Sequence, residues 1–292
     1  MRLRCLLFVP GDRPDQMTKA LQTQSDALIL DLEDSVAPRR KSQARLDVAA
    51  FLRQSVLDVA RRSVPCFVRL NPLQSGLTDG DLEAIAAARP DGVLLPKAEG
   101  AAAILDLTRR LDARGLAATR ILPIATETPN AVFRLGEYAA VASRLVGLTW
   151  GAEDLSTAVG AASPREADGS FTAPYEMVRA LTLFAAHAAE VPAIDTVYPA
   201  FRDHAGLSRH ASRGARDGFS GMLAIHPAQV PHILAAYTPS TAMIEHARRV
   251  VAEFRKHPEA GVVSIDGSML DAPHLKHAQR ILAQVEPGDA AD

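Results

Sequence analysis

Carboxylates recur where short apolar runs of this chain end. Asp31, Glu33 and Asp34 close DALILDL and its continuation, Glu127 follows RILPIA, Glu153 and Asp154 follow RLVGLTW, and Asp195 falls within AIDTVY. Two cations occupy equivalent places: Arg69, with Asn71 behind it, in FVRLN, and Lys97 after GVLLP. If the runs are strands whose ends share one mouth, these groups meet there, and a cluster of like charges is costly unless a cation neutralises it. Carboxylates without grouped His or Cys suit a hard divalent ion. Mg²⁺ takes one or two of them and keeps waters that a substrate displaces, with Mn²⁺ as the alternative ion. Glu127 and Asp154 end neighbouring runs and are the expected metal ligands. The plainer alternative is that such carboxylates cap the helices that follow, since Asp and Glu favour helix N-termini.

The guanidinium of Arg69 offers five donors in a rigid fork, which suits a carboxylate or the oxygen of a developing enolate. A structural ion pair with Asp31 or Glu33 is the competing reading. Lys97 is a secondary candidate for substrate binding, against an ion-pair role at the mouth. In FVPGDRPDQMTKA the turn into a helix carries Arg13 and Lys19, which could hold phosphates, although spacing alone favours an ordinary turn with solvated charges. His226 precedes Pro227, a residue suited to the first helical position, and reads as a strand-end residue rather than a base. No nucleophile elbow, Walker loop or GxGxxG occurs, so Ser/His/Asp hydrolysis and nucleotide-dependent chemistry lose support.

Eight strand-and-helix pairs would position these groups. The strands are expected at residues 4–9, 26–32, 66–70, 92–96, 120–125, 144–150, 193–198 and 221–226. Helices are expected over 42–62, 101–114, 131–142, 174–190 and 227–237. Near-continuous apolar strands fit a parallel sheet covered by helices, and eight units favour a closed (β/α)₈ barrel over an open sheet. Ala152 to Ala173, with Gly160, Ser163, Pro164, Gly169 and Ser170, reads as a long loop on the active-site face. The barrel is expected to fill residues 1–237. Residues 238–292 form an extension with a helix near 240–256, an extended VVSID, a turn at Gly267 and a last helix from Pro273.

The totals agree with an α/β protein of ample core. Apolar residues make up 48% of the 292 residues, and 32 basic side chains balance 34 acidic ones, so nothing attracts a nucleic acid backbone. Cys5 and Cys66 lie in apolar runs without metal spacing, which points to buried, reduced thiols and a cytoplasmic protein. The N-terminal CLLFV is too short for a signal peptide, and no run approaches the ~20 apolar residues of a membrane span.

Taken in order, LLFVPGDRP, LILDLEDSV, VRLNP, LLPKAE, IATETP, LTWGAEDLS, IDTVY, GFSGMLAIHPAQV and IDGSMLDAPHLKHAQRIL resemble successive motifs of the citrate lyase β-subunit-like family, within the HpcH/HpaI aldolase superfamily. The resemblance runs from about residue 3 to residue 283. It implies a Mg²⁺-bound TIM barrel with metal carboxylates at Glu127 and Asp154 and a substrate-binding arginine at Arg69. Asp31, Glu33 and Asp34 would support the metal waters and the substrate, and Arg13 and Lys19 would meet the phosphates of CoA. It also implies a homotrimer in which the extension covers a neighbour's barrel mouth and supplies a catalytic aspartate, matched here by Asp271. One departure is Met222, where many relatives carry a lysine before the IHP motif.

The activity implied is Mg²⁺-dependent carbon–carbon cleavage of a small 3-hydroxyacyl-CoA of the malyl-, citramalyl- or citryl-CoA type to an acyl-CoA and a 2-oxo acid. The same site would act as a thioesterase if reaction led to loss of CoA. Two rivals stand beside it: a citrate lyase β subunit acting on an acyl-carrier-protein thioester within a complex, and a CoA-independent 2-oxo acid aldolase. A complete DGSMLDAPH tail favours a self-sufficient enzyme over the carrier-protein role.

Overall fold

In the computed structural model, which describes residues 1–57 and 64–284, the chain forms two compact units that meet in sequence at Tyr237 and Thr238. The first contains eight parallel strands: β1 Cys5–Pro10, β2 Ala27–Asp31, β3 Cys66–Arg69, β4 Gly92–Leu95, β5 Arg120–Pro123, β6 Leu148–Thr149, β7 Ala193–Asp195 and β8 Gly221–Ala224. They pair in the order β5-β4-β3-β2-β1-β8-β7-β6. The remaining gap, between β5 and β6, is bridged in parallel at Ile121 with Leu145 and at Ile124 with Thr149, so the sheet closes into a TIM barrel.

Alternation along each strand sorts the side chains into two cores. Leu6, Ala27, Ile29, Phe67, Leu94, Leu122, Ile194 and Leu223 fill the barrel interior. Cys5, Leu7, Leu28, Leu30, Val68, Val93 and Leu95 face outward and join the helices in a larger cluster. Because the strands are buried on both faces they show no polar alternation, which explains the continuous apolar runs. Burial pushes both thiols, Cys5 and Cys66, up to about 12, and neither is bonded to a partner cysteine.

The helices depart from expectation in places. Lys41–Leu57 forms as expected, and its anticipated continuation to Arg62 lies outside the described residues. The stretch expected to be helical over 131–142 is a short helix, Pro129–Val132, then a 3₁₀ segment, Leu135–Arg144. Gly136 at the start of that segment weakens a continuous α-helix. The segment expected as loop from Ala152 opens with a helix, Glu153–Ala158, too short to show a helical period. Helices Thr78–Ala86 and His204–Asp217 complete the outer layer. Among the described residues no helix is long and apolar enough to cross a membrane.

The second unit begins at Thr238 and holds helix Thr241–Lys256, a hairpin of β9 Val262–Ile265 and β10 Ser268–Asp271, and helix Ala272–Ala283. Asp266 and Gly267 both take positive φ (51° and 80°), as a two-residue hairpin turn whose twist matches its strands requires. Ala247, Val250, Val251, Val263, Leu270 and Ala278 form its own small core.

Candidate active site at the barrel mouth

Strand parity determines what enters the mouth. Ile29 and Phe67 point inward, so Asp31 and Arg69, two residues further on each strand, point inward as well. Their strands pair in register at these positions. The guanidinium therefore meets the carboxylate side by side: Arg69 Nε donates to Asp31 Oδ1 at 2.7 Å and Nη2 donates to Oδ2 at 2.7 Å. A buried ion pair repays its desolvation only with good geometry and further hydrogen bonds. Asp31 has both, since it also accepts from the amides of Glu33 (2.8 Å) and Ser35 (3.0 Å). Burial pushes the Asp31 carboxyl upward, but Arg69 and these amides outweigh it and hold the group below its ordinary range. Arg69 in turn is raised above its ordinary value by Asp31 despite burial, and it stays cationic.

The third nitrogen of Arg69, Nη1, lies 2.9 Å from Glu33 Oε2, and Asp34, mostly exposed, lies 3.6 Å from the same nitrogen. Glu33 Oε1 accepts from Lys97 Nζ at 2.9 Å, while Oε2 is buried without a hydrogen bond. Burial raises the Glu33 carboxyl, and Arg69 and Lys97 offset this only in part.

Glu127 comes from the segment after β5 and is 4% exposed. The backbone amide of Lys97 donates to its Oε2 at 2.6 Å. From the other side Gly151 presses close: a Cβ there would stand 2.7 Å from Glu127 Cγ. Burial, with the carboxylates of Asp154 and Glu33, pushes Glu127 up to about 8. Asp154, in the first turn of Glu153–Ala158, does not cap its helix; its Oδ1 stands 3.4 Å from Lys97 Nζ. Asp31, Glu33, Arg69, Lys97, Glu127 and Asp154 are thus brought together.

Of these, Asp31, Arg69, Glu127 and Asp154 border a cavity of about 260 Å³ whose lining also includes the apolar Phe8, Ile124, Val197, Leu223 and Ile225. Phe8 lies under the guanidinium of Arg69, 4.9 Å from ring centre to carbon. Among the described residues no three His, Cys, Asp or Glu side chains already form a metal cage. The donor set still fits a divalent ion that takes two carboxylates and water: Glu127 and Asp154 line the same cavity, and burial raises the proton affinity of Glu127, so a cation beside it would relieve the cost of its charge.

One expectation is corrected. Asp195 does not join the mouth, because Ile194 takes the inward position and turns Asp195 toward the helices. There it accepts from Trp150 Nε1 (2.7 Å) and from Arg179 Nη2 (2.9 Å) as a buried structural group. Met222, opposite Asp195 in register, is fully buried in the same outer layer, so a cation at that position would not face the substrate cavity directly. Asn71 is also structural, donating to Leu32 O and Asp81. His226 accepts from the Ala228 amide at the start of a 3₁₀ turn, a capping role.

Arg13 and Lys19 sit at and within the first helix, Pro14–Ala20, largely exposed and beside Asp12 (3.7 Å) and Asp15 (3.9 Å) respectively. Asp271 belongs to the second unit, where its Oδ1 lies 2.6 Å from His274 Nδ1; that bond holds the carboxyl below its ordinary range. Sequence reasoning missed Phe8, Gly151 and the amides of Ser35 and Lys97. Only Gly151, in LTWGAED, left a visible signal, as a glycine directly before an acidic pair.

Comparison with known proteins bears on this site. The sequence profile of the HpcH/HpaI aldolase/citrate lyase family matches residues 4–227. A citrate lyase subunit beta-like protein of Mycobacterium tuberculosis is 38% identical over 276 residues, covering 94% of this chain and 93% of the relative. A mitochondrial citramalyl-CoA lyase of Rattus norvegicus is 32% identical over 295 residues, covering 96% and 85%. The crystal structure of CitE from Mycobacterium tuberculosis, in complex with magnesium, acetoacetate and coenzyme A, matches with a TM-score of 0.80 at 37% identity, over 96% of this chain and 97% of that one.

Proposed function

Because the chain belongs to the HpcH/HpaI aldolase/citrate lyase family and is an enzyme of the lyase type, we propose that it cleaves a small 3-hydroxyacyl-CoA into an acyl-CoA and a 2-oxo acid. The observation that carries this reading is the meeting of Glu127 and Asp154 with Arg69, Asp31, Glu33 and Lys97 beside a half-apolar cavity. Glu127 and Asp154 are the residues to hold Mg²⁺. A divalent ion bound there would neutralise a substrate carboxylate and acidify the 3-hydroxyl.

A 3-hydroxyacyl thioester is an aldol adduct. Loss of the hydroxyl proton lets the C3–oxygen bond become a carbonyl while the C2–C3 bond breaks, and its electron pair moves onto the thioester as an enolate. Protonation at C2 then gives the acyl-CoA. Asp271, kept ionised by His274, takes the hydroxyl proton as general base and comes from a neighbouring subunit of a homotrimer. Arg69, locked in place by Asp31 and kept cationic, stabilises charge on the enolate oxygen; a fixed donor costs no reorganisation at that moment. Glu33 and Asp34 order water and substrate around it, and Lys97 can direct a remaining N–H toward a substrate oxygen. The apolar wall of Phe8, Ile124, Leu223 and Ile225 accommodates the short acyl chain. Arg13 and Lys19 receive the CoA phosphates.

The test is incubation of the full chain and Mg²⁺ with malyl-, citramalyl- and citryl-CoA, with and without chelator, following 2-oxo acid and free thiol separately. The proposal expects metal-dependent 2-oxo acid without thiol. Thiol alone indicates a thioesterase, and turnover only of carrier-protein thioesters indicates a complex subunit. No turnover of any of them would remove the assignment.

A further inference from the structure

Lys97 adopts a left-handed backbone with φ of 50°, a region that is strained for a non-glycine residue. The conformation accompanies two contacts made by different parts of one residue. Its amide N–H reaches Glu127 Oε2 at 2.6 Å. Its ammonium lies 2.9 Å from Glu33 Oε1 and 3.4 Å from Asp154 Oδ1. Three carboxylates that follow β2, β5 and β6 are therefore tied to a single residue following β4. The other nearby cation, Arg69, is committed to Asp31 through two of its nitrogens and approaches Glu33 with the third.

We propose that Lys97 is a positioning residue that serves the acidic cluster as a built-in counter-cation, holding the carboxylates together and weakening the site's hold on a divalent ion. The inference rests on the reading that Glu127 and Asp154 take that ion. An ammonium fixed within 3.4 Å of Asp154 repels an incoming dication and draws off carboxylate charge. Removing it has two opposite consequences. The chelated protein loses an attraction that offsets repulsion among Glu33, Glu127 and Asp154, and the divalent ion gains affinity. A residue with a merely structural role would weaken both stability and ion binding.

The experiment compares the full chain with Lys97→Met, which keeps the length and removes the charge, and Lys97→Arg, which keeps the charge. Thermal midpoints are recorded in chelator and across a Mn²⁺ titration, and Mn²⁺ binding is measured by electron paramagnetic resonance. K97M should melt lower in chelator, bind Mn²⁺ about tenfold more tightly, and show a larger ion-induced rise in midpoint; K97R should stay near the parent. Equal or weaker Mn²⁺ binding by K97M overturns the inference. If the parent itself shows no Mn²⁺ response, the metal reading of Glu127 and Asp154 falls, and an unchanged chelator midpoint for K97M overturns the counter-cation role separately. Should K97M fail to fold, the pair Lys97→Met with Glu33→Gln removes one charge of each sign and should recover the parental midpoint; failure to recover it overturns the inference.

Discussion

Two buried aspartates end strands of the same barrel, and each is clasped by an arginine, yet they belong to different chemistry. Asp31 ends β2 at an inward position and meets Arg69 in the mouth, beside a cavity. Asp195 ends β7 at an outward position and meets Arg179 and Trp150 between the sheet and its helices. One residue of strand parity separates a pair that lines the mouth from a structural brace. The same ion pair in the outer layer has no opening for a substrate, whereas in the mouth it holds a cationic donor where charge can develop.

This contrast breaks most directly at the brace. Asp195→Ala leaves the Trp150 N–H without its acceptor and Arg179 with Asp217 as its remaining carboxylate, and loss of one partner of a buried pair costs about 3 kcal/mol. Denaturant unfolding should show that loss, while activity per folded molecule falls less than about tenfold. Arg69→Lys is the opposite case: the charge stays but the fork is lost, so kcat/KM should fall about 10²–10³-fold with a much smaller change in stability. A loss of stability at Arg69→Lys comparable to that at Asp195→Ala would erase the distinction between the two pairs.

The pH response sharpens it further. Burial lifts the Glu127 carboxyl from the ordinary 4.5 to about 8. Stability from its protonated form is therefore complete below pH 4.5 and is lost as pH rises through 8. In chelator, Glu127→Gln should gain on the parent by several degrees in thermal midpoint across that window, whereas a substitution in the outer brace should show no such rise. Asp31, shifted the other way, contributes stability that is present above its unfolded value and lost only in acid. The smallest effect is expected at Gly151→Ala. The added methyl must move Glu127 Cγ, which would be 2.7 Å away, and Mn²⁺ affinity should drop by about tenfold with the fold intact.

Much of this architecture was legible in the chain. Apolar runs such as ALILD and CFVR are buried on both faces, so they could be read as parallel strands, and Asp31 and Arg69 could be seen at their ends. Which way an end residue points depends on where the strand begins, and a shift of one residue inverts it; that is why Asp195 was expected in the mouth and lies outside it. Lys97 and Asp154 could be named as candidates, but the left-handed turn that aims the Lys97 amide at Glu127 has no signature when no glycine marks it. The helix Glu153–Ala158 is too short to show a period, and the 3₁₀ segment Leu135–Arg144 imitates an α-helical pattern. Asp271 stands apart in kind. Its pairing with His274 is local and visible in the second unit, while its role as a base in a neighbouring mouth came from family resemblance and is part of the proposed function.

The central question is whether the mouth, and not some other acidic surface, takes a divalent ion. Equilibrium Mn²⁺ binding followed by electron paramagnetic resonance, on the parent and on the double variant Glu127→Gln with Asp154→Asn, tests this most directly. One saturable ion per chain is expected in the parent and none in a variant that remains folded. Equal binding by the two proteins would contradict it.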